Sequence, residues 1–189
     1  MITYTTVNSK SDLEGILKIQ KSNLSQNLNS DEIQSQGFVT VDHTYDLLKK
    51  LNDHEKHIIA KDRDKVIGYV LAMTKHSKFD IPILFPMFDV FDAVLYKGKK
   101  ISDYNYILVG QVCIDKEYRG QGVFDDCYTA YRKFYEDKYD FAITEIANTN
   151  SRSLNAHKRI GFEEAYSYFG PDETEWIIVL WDWKNSKEH

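Results

Sequence analysis

The chain carries only two cysteines in 189 residues, Cys113 and Cys127, and they have the paired spacing of neither a zinc site nor a disulfide framework. A structural metal centre and a disulfide-stapled secreted fold are therefore not expected, and a reducing cytoplasm is the simplest compartment. No apolar run approaches the roughly eighteen residues that a membrane span requires, and residues 1–30 show no basic-then-apolar signal segment. Positive charge is also in short supply, with 24 Lys and Arg against 29 Asp and Glu and a formal net charge of −5. Without a basic surplus there is no general drive toward nucleic acid or an anionic membrane surface. Repeats, low-complexity tracts and linkers are absent too. Apolar residues, at 42% with 14% aromatic, are plentiful enough to give one domain over 1–189 a full core.

The most informative stretch is Ile107 to Phe124, ILVGQVCIDKEYRGQGVF. Its first eight residues are mostly apolar and β-branched, as a buried strand requires, and Val123, Cys127, Tyr131 and Phe134 then recur at helical spacing. Arg119-Gly120-Gln121-Gly122 therefore falls at a helix N-terminus. Amides there lack intrahelical acceptors and carry the positive end of the helix dipole, so a pyrophosphate can bind without a lysine, and glycine leaves no Cβ in its way. A bare Gly-x-Gly is equally a tight turn with no ligand. The string Gly-x-x-x-x-Gly-Lys-Ser/Thr of a Walker P-loop does not occur, and the Gly-x-Gly-x-x-Gly of a dinucleotide fold is missing and would belong early in the chain.

The spacing of Val112-Cys113-Ile114, four residues, and Arg119-Gly120-Gln121-Gly122-Val123 resembles the central motif of the GNAT N-acetyltransferase superfamily. Asn150-Ser151-Arg152-Ser153-Leu154-Asn155-Ala156-His157-Lys158-Arg159-Ile160-Gly161-Phe162 is similar to that family's Asn-initiated helix ending in Gly-Phe. The resemblance implies acetyl coenzyme A as co-substrate. Its pantetheine would lie along the main chain of Val112, Cys113 and Ile114, its pyrophosphate on the amides of Tyr118, Arg119, Gly120, Gln121, Gly122, Val123 and Phe124, and Asn150 near it. Three departures stand out: His157 where many members have tyrosine, Glu117 where the strict pattern has Gln or Arg, and Phe124 where most carry Gly or Ala.

Along the rest of the chain, Ile2–Val7 alternates as a strand, and Ser11 with Glu14 forms an expected capping box for a helix whose apolar face is Leu13, Ile16, Leu17 and Leu24. Ser25–Gln36 reads as a loop or short helix, and Asp42–Leu51 as a second helix. His57–Lys61 and Val66–Thr74 form a hairpin. Residues 79–106 are an apolar insertion with Phe88, Phe91 and Leu95 at helical spacing up to Gly98. Phe141–Ile146 is a strand, Ser151–Ile160 a helix stopped by Gly161, and Ala165–Phe169 with Trp176–Trp183 a closing hairpin. The order is mixed α/β, and the resemblance implies a mixed, mostly antiparallel sheet of about six to seven strands flanked by helices.

Acetyl transfer from a thioester needs a neutral amine, a polarised carbonyl and a protonated leaving thiolate. The resemblance implies that the signature strand splays from Phe141–Ile146 and that an amide near the split faces the thioester oxygen. Glu145, on the neighbouring strand, is the first candidate base, because a half-buried carboxylate is pushed toward neutral pKa; it could equally pair with Arg152 or Arg159 or face water. Asp89, Asp92 and Asp103 could attract a cationic amine. His157 reads either as proton donor to the thiolate or as a helix surface residue, and Arg119 as a partner of phosphate or of Glu117. The resemblance implies a primary amine of a small molecule or peptide as the acceptor. The insertion either shapes that choice or forms a homodimer interface. A catalytically silent acyl coenzyme A binding module is the alternative to an enzyme.

Overall fold

The computed structural model describes residues 1–28 and 38–184. Its elements, in chain order, are β1 (Ile2–Thr6), α1 (Lys10–Asn23), α2 (Tyr45–His54), β2 (Ile58–Asp62), β3 (Lys65–Met73), α3 (Phe85–Ala93), β4 (Leu95–Tyr96), β5 (Lys99–Lys100), β6 (Tyr106–Ile114), α4 (Val123–Tyr135), β7 (Phe141–Ala147), α5 (Ser151–Ile160), β8 (Glu163–Phe169) and β9 (Glu175–Asp182). Seven strands form one sheet in the order β1-β2-β3-β6-β7-β9-β8, and β4 and β5 form a separate pair. The β1–β2, β2–β3, β7–β9 and β8–β9 pairs are antiparallel and β6–β7 is parallel. The fold is thus mixed α/β on a mostly antiparallel sheet. Two compact units make it up, Met1–Met73 with Val109–Phe134, and Thr74–Leu108 with the chain from Tyr135 onward.

In the first unit, α1 and α2 cover β2 and β3 with a core of Leu13, Ile16, Ile19, Leu48, Ile59, Val66, Tyr69 and Leu71. The capping box is at Ser9 and Asp12 rather than Ser11 and Glu14. Asp12 wins because its carboxylate accepts from the amides of both Asn8 and Ser9 at 3.1 Å and also meets Lys61 Nζ at 2.9 Å, which Glu14, paired on the surface with Lys10, does not do. Leu24, expected on the helix face, lies past its end in a bridge with Val39. The second helix starts at Tyr45 because Thr44, extended and accepting from Leu47 N, is its cap. Beyond Leu28, the stretch read as a loop or short helix lies outside the described residues; Ser25–Asn27 is a 3-10 turn.

Buried histidine is a feature of this unit. His57 Nδ1 accepts from Ala72 N and Nε2 donates to Leu48 O, each at 3.1 Å, and burial pushes its pKa down to about 3. His43 Nδ1 meets Gln20 Oε1 at 2.8 Å, and burial lowers it to about 4.

In the second unit, β7 pairs with β9 over seven residue pairs, from Phe141–Asp182 to Ala147–Trp176, whereas its parallel register with β6 covers three, Tyr106–Phe141 to Leu108–Ile143. Edge-to-face contacts link Phe88, Phe91 and Tyr106, and Tyr96 and Tyr104 pack on Phe141. The expected insertion helix is shorter than its periodicity suggests. It ends at Ala93, since Val94 is extended and Lys97-Gly98, both at positive φ, turn the chain into the β4–β5 hairpin. Leu95 is thereby 64% exposed, and Phe79 and Ile83 lie on the surface too, while Met87, Phe88 and Phe91 are buried.

Candidate functional site

β6 ends at Ile114, and Asp115 then caps a short 3-10 turn, Lys116–Tyr118, by accepting from Glu117 N at 3.2 Å. Lys65 locks this turn from β3, reaching Asp115 at 2.9 Å and Glu117 at 3.3 Å. Tyr118 donates to Asp62 at 3.0 Å. Arg119 Nε donates to Ile114 O at 3.1 Å and its Nη2 to Asn23 Oδ1, so the side chain braces the loop; of the two partners expected for it, a phosphate or Glu117, the second is paired with Lys65. The Gln121 amide donates to Glu117 O at 2.9 Å.

Gly120 and Gly122 have φ of +72° and +82°, and a Cβ built at either meets no atom within 4 Å. Both the left-handed backbone and the open space are what an incoming anion needs. A backbone bond from Asp126 N to Gly122 O at 3.0 Å opens α4, and the first turn of a helix carries the positive end of its dipole. Phe124 is half-buried with its ring 5.0 Å from that of Tyr128, and none of its atoms comes within 4 Å of a Cβ built at either glycine. Val123 is buried, as are Cys127, Tyr128, Tyr131 and Tyr135 along α4; Phe134, expected on that face, is 46% exposed.

On β6 itself Val112 is half-buried and Cys113 and Ile114 are buried. Burial pushes the Cys113 thiol up to about 11, which makes it a packing residue rather than a nucleophile. Two residues before it, Gln111 is a polar residue not singled out in the sequence. Its Oε1 accepts from Tyr69 OH at 2.6 Å and its Nε2 donates to Val41 O at 2.9 Å, tying the strand to the segment ahead of α2. A polar residue in an apolar run was the available signal.

The second unit holds the remaining candidates. Glu145 is half-buried on β7, and its carboxylate accepts from the hydroxyl of Tyr168 on β8. Burial raises its pKa to about 7, against the opposing pull of that hydrogen bond. Its partner is thus a phenol rather than Arg152 or Arg159. Asn150 caps α5, its side chain accepting from Ser153 N at 3.2 Å, and Gly161 at φ 115° closes the helix. His157 is in the core and not on the helix surface: its ring stands edge-on to Phe162, and Nδ1 donates to Ser153 O at 2.8 Å. Burial lowers its pKa to about 4, so it is neutral at physiological pH. Asp89, Asp92 and Asp103 are exposed. The structure therefore brings Glu145 together with a residue the sequence reading missed, Tyr168, and brings the glycines together with Arg119 acting as a brace.

The family model of the acetyltransferase (GNAT) family matches residues 23–162. No curated protein matches the sequence. Among solved structures, the chain is similar to the ribosomal-protein-S18-alanine N-acetyltransferase from Escherichia coli, at TM-score 0.62 and 12% identity, over 96% of this chain and 94% of that one. It is similar to Arabidopsis thaliana NAA60 in complex with a bisubstrate analogue, at TM-score 0.65 and 14% identity, over 96% and 98%. A third likeness is to the NatC complex bound to Gag peptide and CoA, at TM-score 0.63 and 14% identity, over 96% and 98%. At these identities the structures bear on the fold alone, whereas the family model spans most of the sequence, both motifs included. The chain belongs to the acetyltransferase (GNAT) family.

Proposed function

We propose that the protein is an N-acetyltransferase that moves an acetyl group from acetyl coenzyme A to a primary amine of a small molecule or peptide, by direct attack in a ternary complex. The observation that carries this reading is the open Gly120/Gly122 turn at the start of α4, directly after an apolar strand. Family membership supports an acyl donor, and the coenzyme A in the NatC structure supports a coenzyme A thioester as that donor. The pyrophosphate would lie on the amides from Tyr118 to Phe124, held by backbone and dipole, with the pantetheine along Val112, Cys113 and Ile114.

Glu145 takes the role of base. With a pKa near 7 it is substantially ionised at neutral pH yet basic enough to accept a proton from an ammonium group. The freed amine attacks the thioester carbon, the C–N bond forms, and collapse of the tetrahedral adduct breaks the C–S bond. His157 is a poor acid for the departing thiolate. It is neutral, and the proton on Nδ1 is committed to Ser153 O, which leaves Nε2 with a lone pair and nothing to donate. We assign that step to the extra proton on the attacking nitrogen, and give His157 and Asn150 the structural task of holding α5. The compartment in this reading is the cytoplasm; no helix of the described residues is long and apolar enough to cross a membrane.

The test is a panel of small-molecule amines, polyamines and peptide N-termini incubated with acetyl coenzyme A, with released thiol measured. Turnover with at least one acceptor that falls in Glu145→Gln is expected. Cofactor binding without turnover across the panel would favour the silent acyl coenzyme A binding module.

A further inference from the structure

The β8–β9 ladder contains one irregularity. Glu163 and Glu164 pair with Leu180 and Val179, but the next pair is Tyr166 with Ile178, then Ser167 with Ile177 and Tyr168 with Trp176. Ala165 is an extra residue on the edge strand of the sheet. Because side chains alternate between faces with period two, one inserted residue exchanges the faces of everything beyond it. In β7–β9, Glu145 is opposite Ile178 and Ala147 is opposite Trp176. Glu163, ahead of the bulge and opposite Leu180, is on Glu145's face; beyond the bulge, the β8 residues on that face are Tyr166, beside Ile178, and Tyr168, beside Trp176. Without it they would be Ala165 and Ser167, whose side chains are too short to reach across β9, and Tyr168 would be turned to the opposite face. The observed contact is the hydroxyl of Tyr168 on Glu145 Oε2.

We propose that the Ala165 bulge places Tyr168 as a positioning residue for Glu145, forming a phenol–carboxylate pair that fixes the carboxylate's orientation and sets the pH at which it becomes a base. This rests on the reading of Glu145 as the base. A phenol that donates to a carboxylate favours the ionised form and so opposes the effect of burial. Burial first, then Glu145 itself and last Asp172, in the turn between β8 and β9, raise the pKa of the phenol, which keeps its proton in place as the donor. β9, lying between the partners, contributes Trp176, Ile178 and Leu180 to their face, none of them charged, and the charged residues of that face are Glu163, opposite Leu180, and Asp182, opposite Phe141 at the other end of β7. Tyr168 does not itself take the substrate's proton. Its removal leaves Glu145 chemically intact but harder to ionise.

The experiment is a 13C NMR titration of protein labelled at the glutamate carboxyl carbon, with the Glu145 signal assigned by its loss in Glu145→Gln. The midpoint in the native chain is expected near 7. In Tyr168→Phe, which keeps the ring and removes the donor, it should rise by about one pH unit, the order expected for a hydrogen bond to a charged group. Deletion of Ala165 should move it the same way. An unchanged midpoint in Tyr168→Phe overturns the proposal, whether or not the deletion variant folds. The NMR readout needs no turnover, so the reading beneath it fails separately: Glu145→Gln acetylating the accepted amine at the native rate, with its acid limb unmoved, would remove Glu145 as base while leaving the pairing intact.

Discussion

The glycine turn and the Glu145–Tyr168 pair solve different problems with different parts of the polypeptide. The turn, in the first unit, is built from main chain, with Gly120 and Gly122 in the left-handed region and side chains such as Arg119 and Gln121 turned back to brace it. Glu145, in the second unit, depends on the environment of a single side chain, on its burial and on one hydroxyl from another strand. A backbone site tolerates substitution wherever the conformation survives, whereas a tuned carboxylate is sensitive to any change in its surroundings. Glu117 illustrates the first case, its side chain held by Lys65 beside a turn whose glycines keep their conformation, while the loss of one oxygen atom at Tyr168 is expected to move the titration of Glu145.

The largest expected effect lies on the carboxylate side. Glu145→Gln should lower kcat by about 10²- to 10⁴-fold, the usual worth of a general base, with coenzyme A affinity unchanged by titration calorimetry; equal losses in both quantities would erase the contrast between the two regions. Acid stability is next. His43, His57 and His157 are held neutral, with folded pKa values of about 4, 3 and 4 below the unfolded value of about 6.5. A depressed histidine pKa means that the unfolded chain binds the proton first. The stability these groups contribute is therefore complete above pH 6.5 and declines as pH falls toward 4, by up to about 1.4 kcal/mol per pH unit for each histidine. Denaturant midpoints measured from pH 7 to 4 should show this decline, with a shallower slope in His157→Gln. Glu145, raised rather than lowered, acts with the opposite sign and disfavours folding as pH climbs from about 4.3 toward 7. Glu145→Gln should thus gain stability at pH 7 while losing turnover. The smallest effect concerns Asn150, whose replacement by Ala removes the α5 cap and should cost about 1 kcal/mol without moving coenzyme A affinity.

The contrast between main chain and side chain also governs what the sequence disclosed. An apolar strand, a glycine pair and an amphipathic helix are all local patterns, and 107–135 was readable from them. So was α5, bounded by an Asn cap and a Gly stop, which spans Ser151–Ile160 as expected. Where two local signals competed, a long-range contact decided: Ser9-x-x-Asp12 prevailed over Ser11-x-x-Glu14 because Lys61, far along the chain, meets Asp12. The insertion helix looked longer than it is because Leu95 continued its periodicity, although the Lys97-Gly98 turn placed that residue in an exposed hairpin. Tyr168 was beyond reach, since β8 alternates equally well in either register and only the Ala165 bulge decides which face its tyrosines take. His157 misled for a related reason: a histidine among Lys158 and Arg159 looks like surface until Phe162 covers it.

The measurement that bears most directly on the central claim is isothermal titration of the purified protein with acetyl coenzyme A, with coenzyme A and a Gly122→Asp variant as controls. Gly122 has φ +82°, so aspartate there combines backbone strain with a negative charge aimed at the phosphates. The expected result is saturable binding by the native chain that disappears in the variant. No binding at millimolar ligand, or equal binding by both proteins, would contradict the assignment of the Gly120/Gly122 turn as the cofactor cradle.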